Sequence, residues 1–99
     1  MKPIDRRKFF IALHRGCKAR GLILVEDPDA GGGSHGSLNF DSVSGGKSLR
    51  LVIAYAREIS PGVQRGMLRY VSQQIDVRTA AADSSLARSV FELLGECLH

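Results

Sequence analysis

The sequence predicts a small α+β domain in which a helix is followed by three antiparallel strands, a second helix and an extra C-terminal helix. The chain has 99 residues, which suits one modest core, and 43% of them are hydrophobic, which argues against disorder. Apolar residues recur at helical spacing towards both ends of the chain and alternate with polar residues in the middle. Turns rich in glycine and serine separate the alternating segments.

The first helix is predicted over residues 5–20 and the first strand over residues 21–26. Asp5 marks the start of the helix and Gly21 its end. The apolar side chains of the helix fall within one stripe about 100° wide, which contains Phe9, Phe10, Leu13 and Cys17. The strand follows as a short apolar run.

Two further strands are predicted over residues 34–40 and 49–55, with a turn between them. One face of the earlier strand carries His35, Ser37 and Asn39, and the other carries Leu38 and Phe40. The later strand places Leu49, Leu51, Ile53 and Tyr55 on one face and Arg50, Val52 and Ala54 on the other. Short connections predict an antiparallel sheet. Helices would cover its apolar face, and the face with His35 would meet water or a partner.

The second helix is predicted to begin at Ser60-Pro61, with Ser as N-cap and Pro at the first helical position, and to run to about Ile75. The last helix, residues 84–98, has an apolar stripe of Leu86, Val90, Leu93, Leu94 and Cys97. This stripe completes the core, pairs with a second copy of the chain or binds the groove of a partner. Residues 1–78 are predicted as the main domain and residues 79–99 as a helical extension.

The charge is unevenly distributed along the chain, which has a net charge of +4. Residues 1–79 hold 13 basic and 7 acidic side chains, whereas residues 80–99 hold 1 basic and 3 acidic ones. A basic domain favours phosphate-bearing partners, although the same charge is compatible with solubility alone. Cys17 and Cys97 form no Cys-x-x-Cys pair, which favours a reduced, cytosolic chain over a disulfide. No apolar run approaches the roughly 20 residues that cross a bilayer.

The most unusual segment is residues 31–36, Gly-Gly-Gly-Ser-His-Gly. Consecutive glycines let the backbone approach a ligand closely and can turn N–H groups towards an anion. His35 follows beside the hydroxyl of Ser34, and imidazole can exchange protons near neutral pH in phosphodiester chemistry. The alternative is a hairpin loop followed by a surface histidine. His14 is expected to be solvated, and no histidine has a metal-ligand partner at the usual spacing, so no metal is predicted.

A second candidate anion site is the start of the second helix. Arg65 lies near its first turn, where free N–H groups and the helix dipole favour a phosphate, and Arg69 follows four residues later. The alternative is a solvated basic face.

Together these segments resemble the HicA family of bacterial toxin ribonucleases over roughly residues 4–75. Gly33-Ser34-His35 at the start of a strand is similar to the Gly-Ser-His of that family. Residues 57–68, Arg-Glu-Ile-x-Pro-Gly-x-x-Arg-x-x-Leu, are similar to the start of its second helix. The order of elements is also that of the double-stranded RNA-binding fold.

The resemblance implies a toxin of a toxin–antitoxin system, an endoribonuclease that cleaves mRNA by histidine acid–base catalysis. It implies that His35 is catalytic, that neither a metal nor a cofactor is used, and that a HicB-type antitoxin inhibits the enzyme in the bacterial cytoplasm. Gly33 and Ser34 would orient His35 and contact phosphate. Arg65, with Arg69 or Lys47, would stabilise the developing charge. No membrane is expected as a partner, and the C-terminal helix can offer a homo-oligomer contact.

Two other classes of function stay open. A non-catalytic RNA-binding module would use Arg65, Arg69 and Lys18 on phosphates, and would show salt-sensitive RNA binding without cleavage. A protein-interaction domain would dock partners through the sheet face and the last helix. An exposed apolar stripe on that helix would favour it.

Overall fold

The computed structural model describes residues 2–27, 35–43, 45, 48–54, 56–75 and 84–98. The elements in chain order are β1 (Ile4–Asp5), α1 (Arg6–Ala19), β2 (Leu22–Asp27), β3 (His35–Ser42), β4 (Leu49–Ala54), β5 (Glu58–Ile59), α2 (Pro61–Ile75) and α3 (Ser84–Cys97). The α+β class and the antiparallel three-stranded sheet, in the order β2-β3-β4, are confirmed. The short antiparallel pair of β1 and β5 was not predicted.

Helix α1 begins and ends with local signals that the sequence contains. The carboxylate of Asp5 accepts a hydrogen bond of 3.1 Å from the backbone N–H of Lys8, which satisfies one of the free donors of the first turn. Gly21 follows the helix with a φ of 67°, a left-handed conformation that favours glycine. The predicted stripe is the buried face of α1: Phe9, Phe10, Leu13 and Cys17.

The register of the sheet places one row of apolar side chains in the core. Leu38 lies between Glu26 and Leu51, and Phe40 lies between Leu24 and Leu49. The most buried side chains of this inner face, each at most 3% exposed, are Leu38, Phe40, Leu49, Leu51 and Ile53. The predicted alternation of β3 and β4 is therefore confirmed for the face that the helices cover, except that Tyr55, predicted on the same face, lies outside the described residues.

The predicted exposure of Ser37 is wrong. Ser37 lies on the outer face as predicted, but it is fully buried. It occupies the central strand between Asp27 and Val52, and the side-chain amide of Asn39 donates a 3.3 Å hydrogen bond to its hydroxyl. A short side chain between longer neighbours is covered by them, whereas His35 at the end of the strand stays exposed.

Helix α2 is tied to the N-terminal segment by a buried glutamine. The hydroxyl of Ser60 accepts a hydrogen bond of 3.2 Å from the N–H of Val63, which confirms the predicted cap. Gln64 is fully buried, and its amide donates to the carbonyls of Lys2 at 2.7 Å and Ile59 at 3.0 Å. These bonds hold β1, β5 and the start of α2 together.

Helix α3 packs against α2, α1 and β3 and completes the core. Its buried side chains are Leu86, Ala87, Val90, Leu93 and Leu94. A Cβ atom on Gly16 of α1 would lie 2.2 Å from Cδ1 of Leu93, so glycine lets the two helices approach closely. Since the stripe is covered within the chain, the exposed apolar stripe that would favour an interaction domain is absent from the described part of α3.

The two cysteines are unbonded thiols, Cys17 buried and Cys97 half-buried. Burial, and to a smaller extent the nearby Cys97, raise the pKa of Cys17 from 9.0 to about 11, against a smaller opposing effect of Arg20. Burial also raises the pKa of Cys97. No helix in the described residues has both the length and the apolar character needed to span a membrane.

Truncation of a core side chain on α3 should destabilise the whole fold. Leu94 is fully buried, so Leu94→Ala should lower the free energy of unfolding by about 2–5 kcal/mol in denaturant titrations. Glu92→Ala, on the exposed side of the same helix, is the control and should change it by less than about 0.5 kcal/mol. If Leu94→Ala changed the free energy of unfolding as little as Glu92→Ala does, α3 would not belong to the core.

The buried thiol of Cys17 should make the protein less stable in alkaline solution. Its pKa of about 11 in the folded chain lies above the ordinary 9.0, so its contribution is complete below pH 9 and is lost as pH rises to 11. The free energy of unfolding should fall more steeply over this range for the wild type than for Cys17→Ala. If the free energy of unfolding fell equally with pH in both proteins, the raised pKa of Cys17 would be contradicted.

Candidate functional site

An open cleft of about 680 Å³ lies between β4 and α2. Residues 50–54 form one wall, and four residues of α2 at helical spacing form the other: Val63, Gly66, Met67 and Tyr70. His35 also lines the cleft. The cleft therefore runs along β4 beside α2 and includes His35, the histidine that the sequence predicts as catalytic.

The ladder between β3 and β4 determines the place of His35. His35 pairs with Ala54, so its exposed side chain lies at the end of the cleft where β4 finishes. Because side chains alternate along β3, the inward direction of Leu38 and Phe40 requires the outward direction of His35. Gly33 and Ser34, predicted to orient the histidine, lie outside the described residues, as does Lys47.

Arg50 and Tyr70 share the cleft with His35. Arg50 lies on the same face of β4 as Ala54, four residues earlier, which corresponds to about 13 Å along a strand. Tyr70 is 41% exposed, so its ring is open to solvent on the α2 side. The cleft thus combines a group that exchanges protons, a permanent cation and an aromatic ring.

The structure does not bring Arg65 and Arg69 to the cleft. Both are exposed and lie one turn apart on α2, but neither lines the cavity with His35. At about 100° per residue, they point roughly 200–240° around the helix from Val63, away from the cleft wall. They form a separate basic face of α2.

Sequence reasoning did not select Arg50 or Tyr70. The two strand patterns already placed Arg50 on the outer face with His35, but only the register of β3 with β4 shows that both line one cavity. Tyr70 follows Val63 by seven residues, so the two lie on the same side of α2. The seven-residue spacing could therefore have placed Tyr70 beside Val63 from the sequence alone.

His14 is exposed, as the sequence predicts, and it also has a side-chain partner. Its Nε2 lies 2.5 Å from a carboxylate oxygen of Glu26, across the gap between α1 and β2. A shallow cavity there is also lined by Arg6 and Arg7. This pair is distant in the fold from the cleft and provides a second exposed histidine for comparison.

Among the described residues, no group of three or more His, Cys, Asp or Glu side chains is placed to hold a metal ion. None of the described residues that line the cleft is acidic. No family model, curated protein or solved structure matches the chain.

Replacing Gly66, which lines the cleft, should stabilise the fold. Glycine inside a helix costs about 1 kcal/mol relative to alanine, and a Cβ atom on Gly66 would meet nothing within 4 Å. Gly66→Ala should therefore raise the free energy of unfolding by about 1 kcal/mol in thermal or denaturant unfolding. Gly16→Ala, whose Cβ would clash with Leu93, should lower it. If Gly66→Ala lowered the free energy of unfolding, the space beside Gly66 would be occupied, in contradiction to the open cleft.

Proposed function

We propose that this protein is an endoribonuclease similar to the HicA toxins, and that it cleaves mRNA in the cleft between β4 and α2. The observation that carries the proposal is the exposed His35 in one open cleft with Arg50 and Tyr70. The order of helix, three strands and helix fits a double-stranded RNA-binding-like fold, with α3 as an addition. The resemblance at residues 33–35 and 57–68 supports the choice of this family.

The reaction needs proton transfer at two oxygens of the RNA. His35 takes the proton from a 2′-hydroxyl, whose oxygen attacks the adjacent phosphorus, or gives one to the 5′-oxygen as the bond from phosphorus to that oxygen breaks. The products are a 2′,3′-cyclic phosphate and a 5′-hydroxyl. A positioned group of this kind contributes typically about 10²–10⁴-fold to the rate. No step in this route requires a metal or a cofactor.

The other cleft residues suit the charge and the bases of RNA. Arg50, which lines the cleft about 13 Å along β4 from Ala54, contacts a phosphate near the one at which His35 acts. Tyr70 offers a ring on which an unpaired base stacks. Gly33, Ser34 and Lys47 keep the phosphate contacts that are predicted for them from the sequence. Arg65 and Arg69 contact phosphates further along the RNA, since they lie outside the cleft.

The same resemblance supplies the biological setting of the proposal. The enzyme is a toxin of the bacterial cytoplasm, and a HicB-type antitoxin inhibits it by covering the site. The described residues that line the cleft include an arginine and no acidic side chain, which supports partners that carry negative charge.

A non-catalytic RNA-binding module is the second candidate. The observation in its favour is the basic face of Arg65 and Arg69, which is separate from His35. On this reading, Arg65→Ala and Arg69→Ala weaken a salt-sensitive RNA affinity, and His35→Ala changes nothing.

Loss of His35 should abolish cleavage. Wild type, His35→Ala and His14→Ala are incubated with mixed single-stranded RNA in EDTA, and the products are resolved on a gel. His35→Ala should cut about 10²–10⁴-fold more slowly, with an unchanged melting temperature because the side chain is exposed. His14→Ala should keep the wild-type rate.

The ends of the products test the route. Cyclic phosphate ends are expected if the 2′-hydroxyl attacks. Near wild-type cutting by His35→Ala would overturn the mechanism. If none of the three proteins cut the RNA but each still bound it in a salt-sensitive way, the RNA-binding module would be favoured.

A further inference from the structure

The C-terminal ends of α1 and α3 lie side by side. Gly16 of α1 is in close contact with Leu93 of α3, since a Cβ atom on the glycine would lie 2.2 Å from Cδ1 of the leucine. Where α1 ends, Nη2 of Arg20 lies 2.6 Å from Oε1 of Glu96. Both helices advance in the same direction from the first contact to the second, so their last turns stay adjacent.

Each of these last turns carries one cysteine on its inner side. Cys17 follows Gly16 directly and is 2% exposed. Cys97 follows Leu93 by four residues, which places both on one side of α3, and it packs against the core. The two helix contacts therefore bring the thiols of Cys17 and Cys97 near each other. In agreement with this, burial is the main cause of the raised pKa of Cys17, and the Cys97 thiol is the second.

The cleft leaves both thiols without a role, because neither cysteine is among the described residues that line it. Two thiols that face each other across a helix contact can form a disulfide if their backbones are close enough. Such closeness is what the glycine at position 16 permits between α1 and α3.

We propose that Cys17 and Cys97 form an intramolecular disulfide when the chain meets a small-molecule disulfide such as oxidised glutathione, and that this bond fastens the end of α3 to α1. The bond encloses residues 17–97, which is most of the chain. A disulfide that closes a long loop strongly restricts the unfolded chain. The redox state would thus change the stability of the fold. This inference does not rest on the proposed ribonuclease function.

The bond forms in two thiol–disulfide exchanges. Cys97 is the more exposed thiol, so its thiolate attacks one sulfur of the small disulfide, whose S–S bond breaks and releases one thiolate. Cys17 then loses its proton to solvent, and its thiolate attacks the sulfur of Cys97 and releases the second small thiolate. Two protein thiols are oxidised to one disulfide, and one small disulfide is reduced to two thiols.

The test measures the equilibrium between dithiol and disulfide in mixtures of reduced and oxidised glutathione. Because burial raises the pKa of both thiols, the mixtures are kept at about pH 8.5, where thiolates are more abundant. Samples at low protein concentration are quenched with acid, alkylated and weighed by mass spectrometry, which separates the internal disulfide from glutathione adducts and from dimers. The same measurement in urea gives the value for the unfolded chain.

The matched control is Glu92→Cys in a Cys97→Ala background. It keeps Cys17 and moves the second thiol to the exposed side of the same helix, five residues earlier in the sequence. The unfolded chains of the control and the wild type therefore close loops of nearly equal length.

The ratio of internal disulfide to dithiol should be about 10²-fold or more higher in the folded wild type than in urea, because the helices hold the two thiols together. By linkage the disulfide stabilises the fold by the same factor, so the oxidised wild type should melt about 10 °C or more above the reduced one. The control chain should gain no more than about threefold on folding.

The proposal is overturned if folding does not raise the ratio in the wild type, or if glutathione adducts or dimers form in place of the internal disulfide. It is also overturned if the control chain gains as much as the wild type, or if oxidation leaves the melting temperature unchanged. The comparison of folded and urea-unfolded wild type holds even if the control chain is less stable. RNA cleavage is not measured, so failure of the ribonuclease proposal would leave these results unaffected.

Discussion

The pairing register of β3 with β4 is the constraint on which the site depends. It sets His35 opposite Ala54 and Phe40 opposite Leu49, so that one row of side chains enters the core and the next row faces outwards. A slip of one residue would turn every side chain of a strand to the other face. Burial of Phe40 and Leu38 under the helices therefore also fixes His35 at the mouth of the cleft.

The helices complete this arrangement from the covered side of the sheet. Helix α3 fills the space between α1 and α2, and the absence of a side chain at Gly16 lets it approach α1 closely. Gln64 ties the start of α2 to the N-terminal segment. Helix α2 is thus held by α3 and by the N-terminal segment. It leaves an open cleft along β4, which His35 and Arg50 line. The stability of the core and the geometry of the site thus depend on the same contacts.

Local patterns predicted most of the fold, and long-range pairing accounts for what they missed. The stripe of α1, the alternation of β4 and the Ser60 cap are signals within a few residues, and the structure agrees with them. The burial of Ser37 and the meeting of Arg50 with Tyr70 depend on register and on the position of α2, which no short segment contains. His35 is predicted as a candidate because glycines mark its segment. The predicted phosphate contacts are Arg65 and Arg69 on α2, together with Lys47, whereas the arginine that lines the cleft is Arg50 of β4.

The central claim is that RNA lies in the cleft between β4 and α2, against His35. The most direct measurement is the change in backbone amide chemical shifts of the labelled chain on titration with a 2′-O-methyl RNA, which lacks the attacking hydroxyl. The account predicts that the largest changes fall on residues 50–54, on His35 and on the side of α2 that carries Gly66 and Tyr70. Changes confined to the face of Arg65 and Arg69, or to α1, would contradict it.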